Sequence, residues 1–220
     1  MGSLIVPINL GGVNAYCVKT GSAFILFDCG FAANREQLEK VLLTAGVLPG
    51  NLNLLALTHG DIDHTGNCVY LRRKYGVPIA MHAADALMVE KGDFNTHRRV
   101  NSFLMRAMHV LFKSRFTAML AGFEKFTPDL FLEEGQNLLQ YGLDALILHT
   151  PGHTPGSLCF LLPDGDLISG DILQNRSTPR PSAIVDDPLR MAASLQRLKS
   201  LQVNTVYPGH GKPFKMSLYH

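Results

Sequence analysis

Four times along this chain a segment suited to a β-strand ends in a loop that sets histidine or aspartate beside glycine. The first strand signal, Asn53–Leu57, runs straight into Thr58-His59-Gly60-Asp61-Ile62-Asp63-His64-Thr65-Gly66-Asn67. The others lead to Thr150-Pro151-Gly152-His153-Thr154-Pro155-Gly156-Ser157, to Ser169-Gly170-Asp171 and to Tyr207-Pro208-Gly209-His210-Gly211. Imidazole and carboxylate at the density of His59, Asp61, Asp63 and His64 suit a divalent first-row metal. The flanking glycines let the backbone turn tightly near an ion. One histidine in a polar loop is ordinarily just solvated. An ordered set of such loops demands a fold in which separate strand ends meet.

The rest of the pattern agrees with such a fold. Leu4–Leu10, Val13–Lys19 and Ala23–Asp28 read as antiparallel strands joined by turns at Gly11-Gly12 and Gly21-Ser22. Asn34 fits the N-cap of a helix running to Ala45, with Leu38, Val41, Leu42 and Ala45 on one face and Gly46 as its stop. A second helix covers Asn67–Tyr75, ended by Gly76, and Val77–His82 is a strand. Leu143–His149, Ser157–Leu162 and Asp166–Ser169 are strands, with Pro163-Asp164-Gly165 turning between the last two. A helix from Pro188 to Leu201 precedes a final strand at Thr205–Tyr207. Two halves of this kind imply two packed sheets with helices outside. There is no internal repeat. Residues 84–142 depart from the pattern: Ala84–Glu90 and Thr96–Ala121 read as helices, and no acidic residue occurs from Phe94 through Phe123.

At 220 residues, 46% hydrophobic and 17% charged, the chain suits one ordinary domain with a substantial core. Twenty basic against 18 acidic residues give a net charge of +2, which does not point to nucleic acid. Cys17, Cys29, Cys68 and Cys159 form no CxxC pair, so buried free thiols and a reducing compartment are expected. No signal-like start and no run of 18 apolar residues occurs, so the expectation is a cytoplasmic chain without a membrane span.

The ordered set His59, Asp61, Asp63, His64, His153, Asp171 and His210 resembles the metallo-β-lactamase-like superfamily, and Phe27-Asp28-Cys29-Gly30 resembles its "D-x-G" strand end. The resemblance implies an α+β fold, a four-layer αββα sandwich. It makes residues 1–220 a single domain with 84–142 as a helical insertion or lid. It further implies two divalent metal ions, zinc first, with iron or manganese accommodated. His59, Asp61 and His153 would hold metal 1. Asp63, His64 and His210 would hold metal 2, and Asp171 would bridge them. The implied activity is metal-dependent hydrolysis of an ester, thioester or lactone-type small molecule, with Asp63 as the catalytic carboxylate that orients the nucleophilic hydroxide. The alternatives are a non-haem di-iron redox protein, or a metal-binding signalling protein with little turnover.

The sequence departs from the family's leading His-x-His-x-Asp-His motif at Asp61, where most members have histidine. A carboxylate there makes a harder ligand set, of lower net charge and weaker Lewis acidity, with more tolerance for iron or manganese. The alternative is that Asp61 points away and only the Asp63/His64/His210 side fills well. Within the family, the chain ends ten residues after His210, which leaves no room for the C-terminal domain of glyoxalase II. Gln174 stands where the best-known lactonases carry tyrosine. True β-lactamases of the family are exported and often use cysteine at the bridging position, whereas this chain has Asp171 there and no export signal.

Other residues are ambiguous. His82 and His149 read equally as supports for a ligand or as strand-end packing. Tyr207 reads as packing beneath the site, and Asn175 and Arg176 as ordinary loop residues near it. His97 and His109 read as surface or pocket lining, and His220 carries no inference. The basic insertion, with Phe103, Met108 and Phe112 on its apolar side, reads as a lid lining the pocket; the alternatives are a helix packing on its own domain, or a surface for an anionic substrate, an acidic lipid surface or a homodimer partner.

Overall fold

The structure is a computed structural model that describes residues 4–94 and 122–219. Its first sheet has the order β1 (Ile5–Asn9), β2 (Asn14–Thr20), β3 (Ala23–Phe27), β4 (Leu52–Ala56), β5 (Ile79–Met81) and β6 (Leu130–Phe131). The first two pairings are antiparallel, and β3 through β6 run parallel. The second sheet begins with β7 (Leu146–His149), β8 (Leu158–Leu161) and β9 (Asp166–Asn175), joined as an antiparallel meander. β10 (Arg180–Pro181) pairs with β9, β11 (Thr205–Gly211) lies parallel to β9, and β12 (Phe214–Lys215) closes the edge.

Strand alternation divides the core into layers. On β2 and β3, Tyr16, Val18, Ile25 and Phe27 face the other sheet and meet Ile147, Leu158, Phe160 and Ile168. The opposite faces of the same strands, Ala15, Cys17, Phe24 and Leu26, pack with Leu38 and Leu42 of α1 (Arg35–Ala45) and Leu71 and Tyr75 of α3 (Cys68–Tyr75). Outside the second sheet, Leu148, Cys159 and Leu167 pack with Met191, Leu195 and Leu198 of α5 (Pro188–Ser200). Three apolar interlayers require four layers, so this is the αββα sandwich. Each large aliphatic side chain sealed in them contributes about 1.5–3 kcal/mol.

The helix signals act largely as read. Gly46 and Gly76 end α1 and α3 in the left-handed conformation at φ 92° and 68°. Asp187 caps α5 by accepting from the amides of Leu189 and Arg190. Asn34 differs: it precedes α1 but makes no capping bond, because a 3₁₀ turn at Ala32–Asn34 already leads into the helix.

Three boundaries are corrected. β9 runs to Asn175 rather than stopping at Ser169, and β11 runs to Gly211 rather than to Tyr207. The two hold each other by parallel pairing through register shifts around Pro208, so Asp171 and His210 stand on strands, not on loops. Within 84–142, α4 (Ala86–Lys91) is helical, but β6 joins the first sheet and Leu132 and Leu138 enter the core between the sheets. That end of the segment is therefore sandwich rather than helical insertion. Thr96–Ala121, with its apolar and basic faces, lies outside the described residues. Cys17, Cys29, Cys68 and Cys159 are buried free thiols. Among the described residues no helix is long and apolar enough to cross a membrane.

Candidate metal centre

The carboxyl ends of β3 and β4 begin the site. Asp28, directly after β3, has φ 59° and is the only described non-glycine residue in the left-handed region. That turn lets one carboxylate serve three donors. Its Oδ1 accepts from the Thr58 amide at 2.8 Å, and its Oδ2 accepts from the Thr58 hydroxyl at 2.8 Å. His64 Nδ1 lies 2.8 Å from the same Oδ2. The loop after β4 and the short helix α2 (Ile62–Thr65) are thereby fixed to the end of β3.

Each site histidine has its Nδ1 engaged, and the partners fix the tautomers. His153 Nδ1 donates to the Ile184 carbonyl at 2.7 Å, and His210 Nδ1 donates to the Gly12 carbonyl at 2.5 Å. His64 Nδ1 donates to Asp28. Thr58 has one hydroxyl proton, already given to Asp28, so at 2.9 Å it accepts from His59 Nδ1. All four rings consequently carry the proton on Nδ1 when neutral and turn a lone pair on Nε2 toward the others.

Three carboxylates occupy the same space. Asp61 Oδ2 lies 3.1 Å from His153 Nε2 and 3.5 Å from His59 Nε2. Asp63 Oδ2 lies 3.3 Å from His210 Nε2 and 3.7 Å from His64 Nε2. Asp171 spans the two groups: Oδ1 is 3.5 Å from His64 Nε2, while Oδ2 is 3.2 Å from His210 Nε2 and 3.7 Å from His153 Nε2. His59/Asp61/His153, His59/His64/Asp171 and Asp63/His64/His210 each bring their ligand atoms within 4.8 Å of one another. Three buried polar atoms here lack a hydrogen-bond partner: His59 Nε2, His64 Nε2 and Asp171 Oδ1. Orphaned lone pairs are costly in an interior unless a cation takes them. The donor set fits divalent metal.

Electrostatics say the same. Burial opposes an imidazolium at His64, yet Asp28, Asp63 and Asp171 push its pKa well above the usual histidine range. Burial likewise opposes it at His153 and His210, but Asp61 and Asp171 raise the first, and Asp171 and Asp63 push the second up to about 9. Burial would raise the carboxyls; instead His153 and His59 hold Asp61 far below the usual range, and His64 and His210 lower Asp63 and Asp171. Without metal the cluster gathers protons, which a metal would displace.

All seven residues singled out in the sequence are thus brought together, and Asp61 turns inward rather than away. The others are not part of the cluster. His82 and His149 stack on each other, ring centroids 4.1 Å apart, and His149 Nε2 bonds the Pro155 carbonyl, so both are strand-end packing. Tyr207 bonds Asp166, and Asn175 bonds the Lys212 carbonyl. His97, His109 and His220 lie outside the described residues. Sequence reasoning missed the supports. Asp28 was visible only as a motif letter, without its triple role. Asn14 and Tyr16 hold β11 through the carbonyls of Pro208 and Gly211, and Asp85 lies buried behind the first loop; no spacing signal marks any of them.

An αββα sandwich whose strand ends gather four imidazoles and three carboxylates defines a class of metal-dependent proteins. The chain belongs to the metallo-β-lactamase superfamily, whose family model matches residues 8–210. It is similar to "Probable metallo-hydrolase YqgX" of Bacillus subtilis (strain 168), 28% identical over 210 residues, 94% of this chain and 88% of the relative. Hydroxyacylglutathione hydrolase GloC of Haemophilus influenzae is 29% identical over 180 residues, 80% of this chain and 76% of the relative. Among solved structures, TTHA1623 in a di-iron-bound form is 30% identical with a TM-score of 0.71, covering 98% of this chain and 96% of that one.

Proposed function

We propose that this protein is a thioester hydrolase working with two divalent metal ions held by His59, Asp61 and His153, by Asp63, His64 and His210, and by Asp171 between them. The single observation that carries the metal reading is the convergence of four tautomer-fixed Nε2 lone pairs on three carboxylates, with His59 Nε2, His64 Nε2 and Asp171 Oδ1 otherwise orphaned. The thioester reading is supported by two relatives. One is the hydroxyacylglutathione hydrolase; the other is an atrochrysone carboxyl ACP thioesterase of Aspergillus fumigatus, 26% identical over 209 residues, 93% of this chain and 52% of the relative.

When bound, a metal pair supplies Lewis acidity for the scissile carbonyl and brings the pKa of water near neutrality. The protein's share is position and proton handling. Asp63 and His210 are the most accessible members of the cluster, their side chains 21% and 12% exposed against 8% or less for the rest. Substrate therefore enters on their side. Asp63, the carboxylate at the open edge of the cluster, orients the attacking water and accepts its proton. Asp171 fixes the spacing of the two halves. Asp28, the Gly12 and Ile184 carbonyls and Thr58 keep the imidazoles aimed.

The test is a screen of a metal-replete sample against an S-acylglutathione, an S-acylpantetheine, a lactone and a phosphodiester, beside Asp63→Asn. Thioester turnover should lead, and Asp63→Asn should lower kcat by about 100-fold or more without changing the folded circular dichroism spectrum. Phosphodiester turnover without thioester turnover, or an unimpaired Asp63→Asn, overturns the proposal. The three-carboxylate site and the di-iron-bound neighbour favour one second reading, a di-iron redox protein; iron with an oxygen-dependent optical change would mark it.

A further inference from the structure

We infer that Asp85, outside the seven proposed ligands, is the positioning residue for the His59/Asp61/His153 half of the site; the inference rests on the metal reading above. Asp85 is wholly buried. Its Oδ2 accepts from the Gly60 amide at 2.9 Å and from the Thr154 hydroxyl at 2.7 Å, and its Oδ1 accepts from the Gly156 amide at 2.7 Å. Gly60 sits between His59 and Asp61, and Thr154 directly follows His153. One carboxylate therefore holds a residue directly beside every member of that group, through two backbone amides and one hydroxyl, across two loops that belong to different sheets.

Two features show that the grip is specific. Asp85 occupies the N-cap position of α4, where an aspartate ordinarily bonds the first amides of its own helix, yet it makes no such bond. The two glycines it reaches are also those that leave it room. A Cβ on Gly156 would lie 2.6 Å from Asp85 Cγ, and one on Gly60 would lie 3.2 Å from Asp85 Cβ. A relay completes the arrangement: the Thr154 amide donates to the Ser157 hydroxyl at 3.0 Å, which donates to the Thr154 hydroxyl at 2.8 Å, whose proton goes to Asp85.

An acid at this place cannot be replaced by its amide without loss. All three partners are donors, so either orientation of an asparagine would turn its NH₂ toward at least one backbone N–H. A glutamate would drive an extra methylene into the space that Gly60 and Gly156 leave.

The experiment uses the full chain, stripped of metal and titrated with Co(II), reading the visible cobalt bands and the ions bound per chain for wild type, Asp85→Asn, Asp85→Ala, Thr154→Val and His64→Ala. Wild type should take two ions. Both Asp85 variants should weaken one ion by about 10- to 100-fold, with kcat recovering at saturating cobalt and KM unmoved. Thr154→Val removes one donor at constant shape and should weaken the same ion by a smaller factor; it carries the test if the Asp85 variants do not fold. His64→Ala should disturb the other ion's bands. Two ions bound with wild-type affinity in Asp85→Ala or Asp85→Asn, or in Thr154→Val where it stands in for them, overturn the role of Asp85 while leaving the metal centre standing. A wild type that binds no cobalt overturns both.

Discussion

Gly209 offers the sharpest test of how the site is assembled, because its substitution by alanine changes one methyl group and nothing else. Its backbone is not left-handed, so alanine is conformationally acceptable there. The obstacle is space: a Cβ would lie 2.1 Å from Asp171 Oδ1 and 2.7 Å from His64 Cε1. A carbon–oxygen contact settles near 3.3 Å, so a gap of about 1.2 Å must open. None of the neighbours can yield freely. His64 is pinned to Asp28 through Nδ1. Asp171 follows Gly170, whose own Cβ position is 2.6 Å from the Thr58 hydroxyl. β11 is tied by Tyr16 and Asn14 to the Pro208 carbonyl at 2.7 and 2.9 Å. Whichever gives, a ligand moves by about 1 Å, several times the ~0.2 Å that metal–ligand distances tolerate. A misplacement of that size costs about 100-fold in rate. Gly209→Ala should therefore lose the Asp63/His64/His210 ion on dialysis and fall about 100-fold in kcat/KM, while its metal-free form still folds. Elemental analysis and steady-state kinetics read both. Two ions per chain with unchanged kcat/KM would refute the packing of Asp171 between His64 and β11.

Two other outcomes follow from the charges. In the metal-free protein, His210 titrates near 9 against an ordinary 6.5, and His64 and His153 are raised with it. Their contribution to folding is complete below 6.5 and disappears as pH climbs through about 9, so the Tm of the stripped protein should fall across that window. The metal-loaded protein should show no such fall, because metal replaces the protons; scanning calorimetry at matched ionic strength checks both, and a flat metal-free curve would contradict the raised histidines. Asp61→His restores a second imidazole to the leading motif and adds one positive charge to the loaded site. It should keep two ions but shift them from iron or manganese toward zinc in cells given all three, and an unchanged metal ratio would remove the ligand-hardness argument.

The cluster of candidate ligands was legible in the sequence because metal chemistry is written in side chains whose types and order are few. His59, Asp61, Asp63 and His64 crowd six positions, and no packing need explains that crowding. The strands and α1 were legible because Tyr16/Val18 against Ala15/Cys17, and Leu38/Leu42 along one helical face, follow the two backbone periods. The supports were not. Asp28, Asn14 and Asp85 support the site through hydrogen bonds to groups 25 to 197 positions away, and nothing local distinguishes such an aspartate or asparagine from a solvated one. Strand ends were misjudged for a related reason. Proline and two glycines in 208–211 read as a turn, but β9 supplies partners that let Pro208 through His210 continue as a strand with irregular register. β6 is only Leu130–Phe131, too short for any periodicity to show.

The two halves of the centre are not equivalent, and the difference follows from their supports. His59, Asp61 and His153 are buried to within a few per cent, and their loops are cross-linked by the three donors that meet at Asp85. Asp63 and His210 stand nearer solvent, and His210 is held from the far end of β11 by the Gly12 carbonyl of the β1–β2 turn. A buried half suits constant geometry around an ion. An open half suits exchange of water and substrate, and it carries Asp63, the carboxylate proposed above to take the proton of water. The one departure from the family motif, Asp61, falls in the closed half, facing His59 and His153. Its negative charge there would offset a cation without crowding the mouth, which leaves Asp63 as the more accessible carboxylate.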